Sequence, residues 1–239
     1  MRALAALLLM LPAAQVGAVE IRSLALRVQT NENGSGRATA VVQIEGAEAG
    51  SVVVPTGFPA ASNFRLTQAP AGTTLAAQPH NGQTLVRIAL PEGASARTSI
   101  GFELDVTGVF QRPTPKSGEP EASRPNGRLI FRHALLNTEP ATIGTYRFEM
   151  LLPDGTRAHA IREALPKLRQ AEAGPRAQLD GIDGQPGVWL QVDRLVQGET
   201  AVVQVELVPR SRSLAWLLIG VALSLLYLVK FRDLIARAG

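Results

Sequence analysis

Apolar side chains fall at alternate positions over much of this chain. The pattern runs through Ile21, Leu24, Leu26 and Val28, resumes over residues 38–44, 52–54 and 84–90, and is strongest over 99–110, where Ile100, Phe102, Leu104 and Val106 share one face. A period of two is that of a β-strand with one side buried and one in water. Turn chemistry separates the runs. Residues 31–36 break the first. Asn81-Gly82 reads as a hairpin turn, because both positions tolerate positive φ, and Pro91-Glu92-Gly93 reads as another. Beyond residue 128, strand-like runs recur at 129–131, 146–152, 188–192 and 201–208, with Pro153-Asp154-Gly155 as a further hairpin turn. This spacing predicts a mainly β fold, an antiparallel β-sandwich of Ig-like or jelly-roll-like kind. Only residues 161–173 have helical composition within the body; Pro166 interrupts them, so a short helix or ordered loop is expected there.

Departures from alternation divide the chain. Residues 111–127 carry Pro113, Pro115, Pro120 and Pro125 among charged and small residues. Such a segment buries too little apolar surface to fold alone and predicts an extended linker or long loop. The body therefore reads as two β modules, residues 19–110 and 128–209.

The two ends are apolar without alternation. Residues 1–18 open with a single cation, Arg2, continue as a short apolar stretch and close on Val16, Gly17 and Ala18. That is the layout of a secretory signal peptide. Residues 214–229 are sixteen positions without a charge, inside an expected transmembrane helix at 213–230 followed by a short cytoplasmic tail at 231–239. Sixteen residues give about 24 Å of helix against a hydrocarbon core of roughly 30 Å, a gap that snorkelling Arg212 and Lys230 can close. Trp216 and Tyr227 sit near the two ends as interfacial aromatics do, and Arg232 follows Lys230 on the cytoplasmic side. Gly220 and Ser224 form a small-xxx-small pair that would let a second helix approach closely. An exported N-terminus and a stop-transfer helix place the body in the periplasm, held by a single pass to a bacterial inner membrane.

Composition narrows the functional classes. Residues 19–213 hold 20 Lys plus Arg and 19 Asp plus Glu, a net of +1, with no basic cluster of the kind nucleic-acid binding requires. There is no cysteine, which removes disulfides, thiolate zinc sites, thiol nucleophiles and thiol-linked haem or lipid. Arginine greatly outnumbers lysine, which occurs only at 116, 167 and 230, and alanine is abundant, a bias that fits a GC-rich bacterial genome.

Candidate chemistry is sparse. His80, His133 and His159 lie in no ligand spacing, and no nucleophile elbow, phosphate loop or dinucleotide fingerprint is present. Asp180 and Asp183 are close enough to suggest a calcium loop, but no third carboxylate follows before Asp193, and Asp-Gly turns are the simpler reading. Asn33-Gly34-Ser35 matches a glycosylation acceptor and reads as accidental in a bacterial protein. No catalytic residue, cofactor or metal is expected.

These readings predict a non-enzymatic accessory or scaffold subunit of a larger membrane complex, with other membrane subunits and the bilayer as partners and no nucleic acid. The rival is a membrane-tethered binding module for a ligand, polysaccharide or unfolded client. Amino-terminal sequencing of the purified protein checks the premise of both: Val19 is the expected first residue, and a retained Met1 rules out processing.

Overall fold

The eleven-residue strand β1 (Glu20–Thr30) lies in the middle of the largest sheet, and the rest of the chain is built around it. The protein is described here from a computed structural model covering residues 20–46, 50–111, 128–165, 176–209, 218–227 and 231. A seven-stranded sheet is completed by β2 (Gly36–Glu45), β4 (Ala61–Gln68), β7 (Arg97–Val106), β10 (Ile143–Leu151), β12 (Arg176–Ile182) and β13 (Gln185–Leu195), in the order β12-β13-β10-β1-β2-β7-β4. A four-stranded sheet contains β8 (Phe110–Gln111), β9 (Leu129–Leu136), β11 (Thr156–Leu165) and β14 (Thr200–Pro209) in the order β11-β14-β9-β8. A three-stranded sheet orders β3 (Gly50–Pro55), β6 (Gln83–Leu90) and β5 (Thr74–His80) as β3-β6-β5.

Alternation decides which side of the large sheet is buried. Leu24, Leu26 and Val28 of β1, Ala38, Ala40 and Val42 of β2, and Ile100, Phe102 and Leu104 of β7 are all within 2% of full burial. They join Phe131 and Leu135 of β9, and Val54 and Ile88 of the three-stranded sheet, in one continuous core. Burying a side chain of this size contributes roughly 1.5–3 kcal/mol, so three sheets sharing one core need no disulfide. The opposite side of the large sheet faces water: Arg27, Val41, Gln43 and Arg147 are exposed.

Most neighbouring strands are antiparallel, as the sequence implies, but β1 and β10 run parallel, in register from Ile21↔Ile143 to Gln29↔Leu151. A parallel neighbour must be reached by a long crossover, here everything from β2 to β9. Strands from both halves of the body, either side of residues 112–127, thus share one sheet.

Several local expectations change. Residues 161–165 belong to strand β11, not to a helix: they pair antiparallel with β14, with a register shift between Ile161 and Glu163, and that tertiary pairing overrides composition, while residues 166–173 lie outside the described residues. Asn81-Gly82, with φ of 48° and 74°, closes the β5–β6 hairpin as expected. The turns at Pro91 and Pro153 form, with Ala94 N–H donating to Pro91 O and Thr156 N–H to Pro153 O, but each passes the chain from one sheet to another instead of closing a hairpin. Strands β4, β5 and β12 have weak alternation because all lie at sheet edges.

Towards the C-terminus, residues 218–227 form a helix of ten residues, about 15 Å long at ~1.5 Å per residue. Among the described residues no helix is long and apolar enough to cross a membrane. Positions 213–217 and 228–230 of the expected span lie outside the described residues, as do the expected signal peptide, most of the proline-rich segment and the tail.

The β1–β10 ladder gives a test of modularity. A specific protease site inserted between Gln111 and Arg128, once cleaved, is expected to leave both pieces co-eluting in native size exclusion and separating only in denaturant. Separation under native conditions would show two independent modules.

Candidate functional site

The outer side of the large sheet carries the most organised set of charged and aromatic side chains outside the core. It arises because each strand's alternation, having committed Leu26, Val28, Phe148 and Leu190 to the core, turns the intervening residues outward. Register then aligns them: Trp189 lies opposite Glu149 on β10, Glu149 opposite Arg27 on β1, and Arg27 opposite Thr39 on β2.

Glu149 is the hinge of this row. Its carboxylate side chain is only 10% exposed and receives Arg27 Nε at 2.7 Å on Oε2 and Arg147 Nε at 2.7 Å on Oε1. Arg27 also donates from NH1 to Asp183 Oδ2 at 2.6 Å. Asp183 is held at φ 51° in the turn joining β12 to β13, where its short side chain tolerates the left-handed conformation. Burial opposes the charge on Arg27, but its hydrogen bonds and proximity to Glu149 and Asp183 outweigh that, and its pKa is raised. The Arg147 guanidinium carbon lies 6.0 Å from the centroid of the Trp189 ring, within cation–π reach.

Beside this network the small side chains of Ala25 and Thr39, with Val41, floor an open groove of about 540 Å³ walled by Arg27 and Arg147. Further along the sheet Arg37 faces Glu103 and Asp105 at 3.9 and 3.8 Å, and Asn63 donates to Asp105 at 2.9 Å. At one end of the sheet Glu45 takes Arg97 at 2.9 Å and Arg22 at 3.4 Å. This face is therefore charged in detail and nearly neutral in sum.

A second ion network lies on the four-stranded sheet. Glu206 of β14, nearly buried, accepts from Arg128 NH1 at 2.6 Å and from Arg162 Nε at 2.6 Å. Burial alone would raise its pKa, but the hydrogen bond and charge of Arg162, then the charges of Arg128 and His159, hold the carboxyl below the usual range.

Among the buried polar groups is a histidine–tyrosine pair. His133 of β9 and Tyr146 of β10 are both fully buried, with His133 Nε2 2.6 Å from the Tyr146 hydroxyl. The imidazole is stacked on Phe148 at 4.1 Å and 10°, and Phe58 tilts over it at 4.8 Å. His133 Nδ1 has no hydrogen-bond partner. Desolvation pushes its pKa down to about 3, so the ring is neutral, and desolvation raises that of Tyr146 well above its ordinary value.

The structure places the residues singled out in the sequence as follows. Ser224 Oγ donates to the Gly220 carbonyl at 2.8 Å, one turn back on the same side of the helix, and the Gly220 side has open space where a side chain would project. The Tyr227 and Phe231 rings lie 4.2 Å apart, tilted by 32°. Arg212, Trp216, Lys230 and Arg232 lie outside the described residues. His80 and His159 are exposed, whereas His133 is buried. Asp183-Gly184 forms one of the two expected Asp-Gly turns, but Asp180-Gly181 lies within strand β12, paired with Gly187 and Pro186 of β13, while Asp193 accepts from Gln191 at 3.1 Å. Among the described residues no group of three His, Asp or Glu is placed to hold a metal.

The Arg27–Glu149–Arg147–Trp189 row was not singled out in the sequence. Its only signal there is that polar residues fill the outward phase of strong strands; which of them meet depends on strand order.

No protein-family profile matches the chain, and no curated relative does. Among solved structures it is similar to a Parabacteroides distasonis protein described as a protease, at 8% identity and a TM-score of 0.44, over 78% of this chain and 40% of that one. It is also similar to yeast LTA4 hydrolase, at 7% identity and a TM-score of 0.38, over 79% and 29% of the two chains. A third similarity is to an M1 zinc metallopeptidase from Deinococcus radiodurans, at 12% identity and a TM-score of 0.35, over 78% and 42%. The chain spans less than half the length of each.

Glu149→Ala tests the outward network. It strips the acceptor from two guanidinium groups that remain partly hydrated, so a loss of about 1–2 kcal/mol in urea unfolding is expected, below the cost of breaking a fully buried pair. An unchanged midpoint would mean the network is ornamental to stability.

Proposed function

We propose that this chain is a non-enzymatic accessory or scaffold subunit of a bacterial membrane complex, with its β body in the periplasm and its C-terminal helix in the inner membrane. The observation that carries the reading is the helix itself. At 218–227 it is apolar on every side, with Leu218, Ile219, Val221, Leu223, Leu225, Leu226 and Tyr227 all between 47% and 65% exposed. A helix that is hydrophobic all round and leaves its large side chains exposed is suited to lipid or to other helices, not to water. In this reading its full span is residues 213–230, and residues 1–18 are the export signal.

The body supports a docking role through the outer side of the large sheet. Seven strands about 4.8 Å apart and some 33 Å long give a face of the order of 900 Å², the area one partner contributes to a standard interface. Tryptophan and arginine are the residue types that most often dominate such interfaces, and Trp189 and Arg147 stand together there. The groove over Ala25 and Val41 favours the second reading, a tethered binding module, because it gives a small ligand or extended peptide an apolar floor between two cations.

Carbonate extraction tests the anchor: the full chain is expected to stay with membranes, and a chain ending at Pro209 to be released. A full chain that washes off would refute the anchor. Affinity purification in mild detergent tests the scaffold. Stoichiometric partners are expected, with recovery reduced by Arg147→Ala/Trp189→Ala and, separately, by Gly220→Leu/Ser224→Leu, which preserves insertion while blocking close helix approach. A monomer without partners that retains a small ligand would favour the binding module instead.

A further inference from the structure

The buried His133–Tyr146 pair has no evident part in docking or anchoring, yet it occupies the junction of all three sheets. His133 is on β9 of the four-stranded sheet, and Tyr146 and Phe148 are on β10 of the seven-stranded sheet. The third contact comes from residues 56–60, which lead from β3 of the three-stranded sheet to β4. Gly57 lies directly on the imidazole edge: at φ +71°, a methyl group added there would meet His133 Cε1 at 2.4 Å and Nε2 at 2.7 Å. Phe58 covers one face of the same ring. The buried Phe58 side chain and a set of hydrogen bonds hold this connection down, among them Phe58 N–H to Thr56 Oγ1 at 3.3 Å and Thr107 N–H to Ala60 O at 3.4 Å. Thr56 donates twice to the Thr84 carbonyl, from N at 3.1 Å and Oγ1 at 2.8 Å, and Thr84 N–H donates to Phe58 O at 2.7 Å.

Among the described residues nothing near the imidazole can compensate a positive charge. From β10 it meets Tyr146 and Phe148, from residues 56–58 it meets Gly57 and Phe58, and on β14 its cross-strand neighbour is Val203. Of these, Tyr146 alone is titratable, and burial keeps that hydroxyl neutral. A protonated ring would therefore be a bare cation among aromatic rings, with its Nδ1–H unsatisfied as well.

We propose that His133 makes residues 56–60 an acid-operated latch, which closes the three-stranded sheet against the sandwich at neutral pH and releases it on acidification. The least disruptive way to hydrate the ring is to lift Gly57 and Phe58, since β10 is paired on both sides and His133 is held in the ladder to β14. An open state takes up a proton near the ordinary histidine value of 6.5, whereas the closed state resists protonation to about 3. Opening is thus proton-coupled in this window. Closure is fully favoured above pH 6.5 and weakens progressively as pH falls towards 3. Between pH 7.5 and 5.5 the opening constant should rise about tenfold.

Hydrogen exchange of the full chain, corrected for intrinsic rates, reads this directly. At pH 7.5 the amides of Thr56, Phe58 and Thr84 should exchange through an opening smaller than that of Leu24 and Leu26 in β1. At pH 5.5 their opening constant should rise about tenfold. The His80→Gln/His159→Gln variant removes the other two histidines, both exposed, and should keep the full effect. The His133→Phe/Tyr146→Phe variant should lose it if it folds. The proposal is overturned if the three amides are as slow as those of β1, if their opening constant changes less than twofold, or if the histidine-depleted variant loses the response.

Discussion

The double pairing of β1 is the constraint on which the fold rests. One edge of β1 pairs with β2, its neighbour in sequence, and the other pairs in parallel with β10, more than a hundred residues later. Every other placement follows from that. β7 extends the sheet beyond β2, β13 extends it beyond β10, and the intervening strands are left to form two smaller sheets over the buried side. Because the closing pair is distant in sequence, the loop-closure cost is met late, and the N-terminal strands wait for β10 before the central strand has both ladders.

The same strand pair sets two different polar environments a few ångströms apart. On the outer side, Glu149 of β10 meets Arg27 of β1 beside the solvent, and its two carboxylate oxygens are shared between two guanidinium groups. On the inner side, Tyr146 meets His133 where no water reaches, and the pair survives only as neutral groups. Neighbouring positions of one strand thus carry a solvated ion network and a desolvated hydrogen bond, purely because the pleat points them opposite ways.

A further consequence is specificity of packing. Gln83 of β6 pairs through its side chain with both the carbonyl of Leu136, at 2.7 Å, and its amide, at 3.3 Å, imitating a strand partner at the end of β9. Asn137 beside it is fully buried and donates to the carbonyls of Ala141 and Leu195 at 2.9 and 3.1 Å. Polar side chains that are satisfied in one arrangement alone fix how the smaller sheets sit, a restriction that apolar packing by itself leaves loose.

The sequence by itself determined the strands that are strongly alternating, the Asn81-Gly82 hairpin and the mainly β class, because these depend on local periodicity and on φ preferences that residues carry with them. Ile100, Phe102, Leu104 and Val106 are buried as their spacing says. Tertiary structure alone decided the rest. Residues 161–165 became a strand because β14 was there to pair with them, and the turns at Pro91 and Pro153 became crossings between sheets because their flanking strands found partners elsewhere. The Arg27–Glu149–Arg147–Trp189 row was invisible for the same reason. Alternation states that a side chain points outward, but which residue stands beside it is fixed by strand order and register, and these are properties of pairings between distant segments, not of either segment alone.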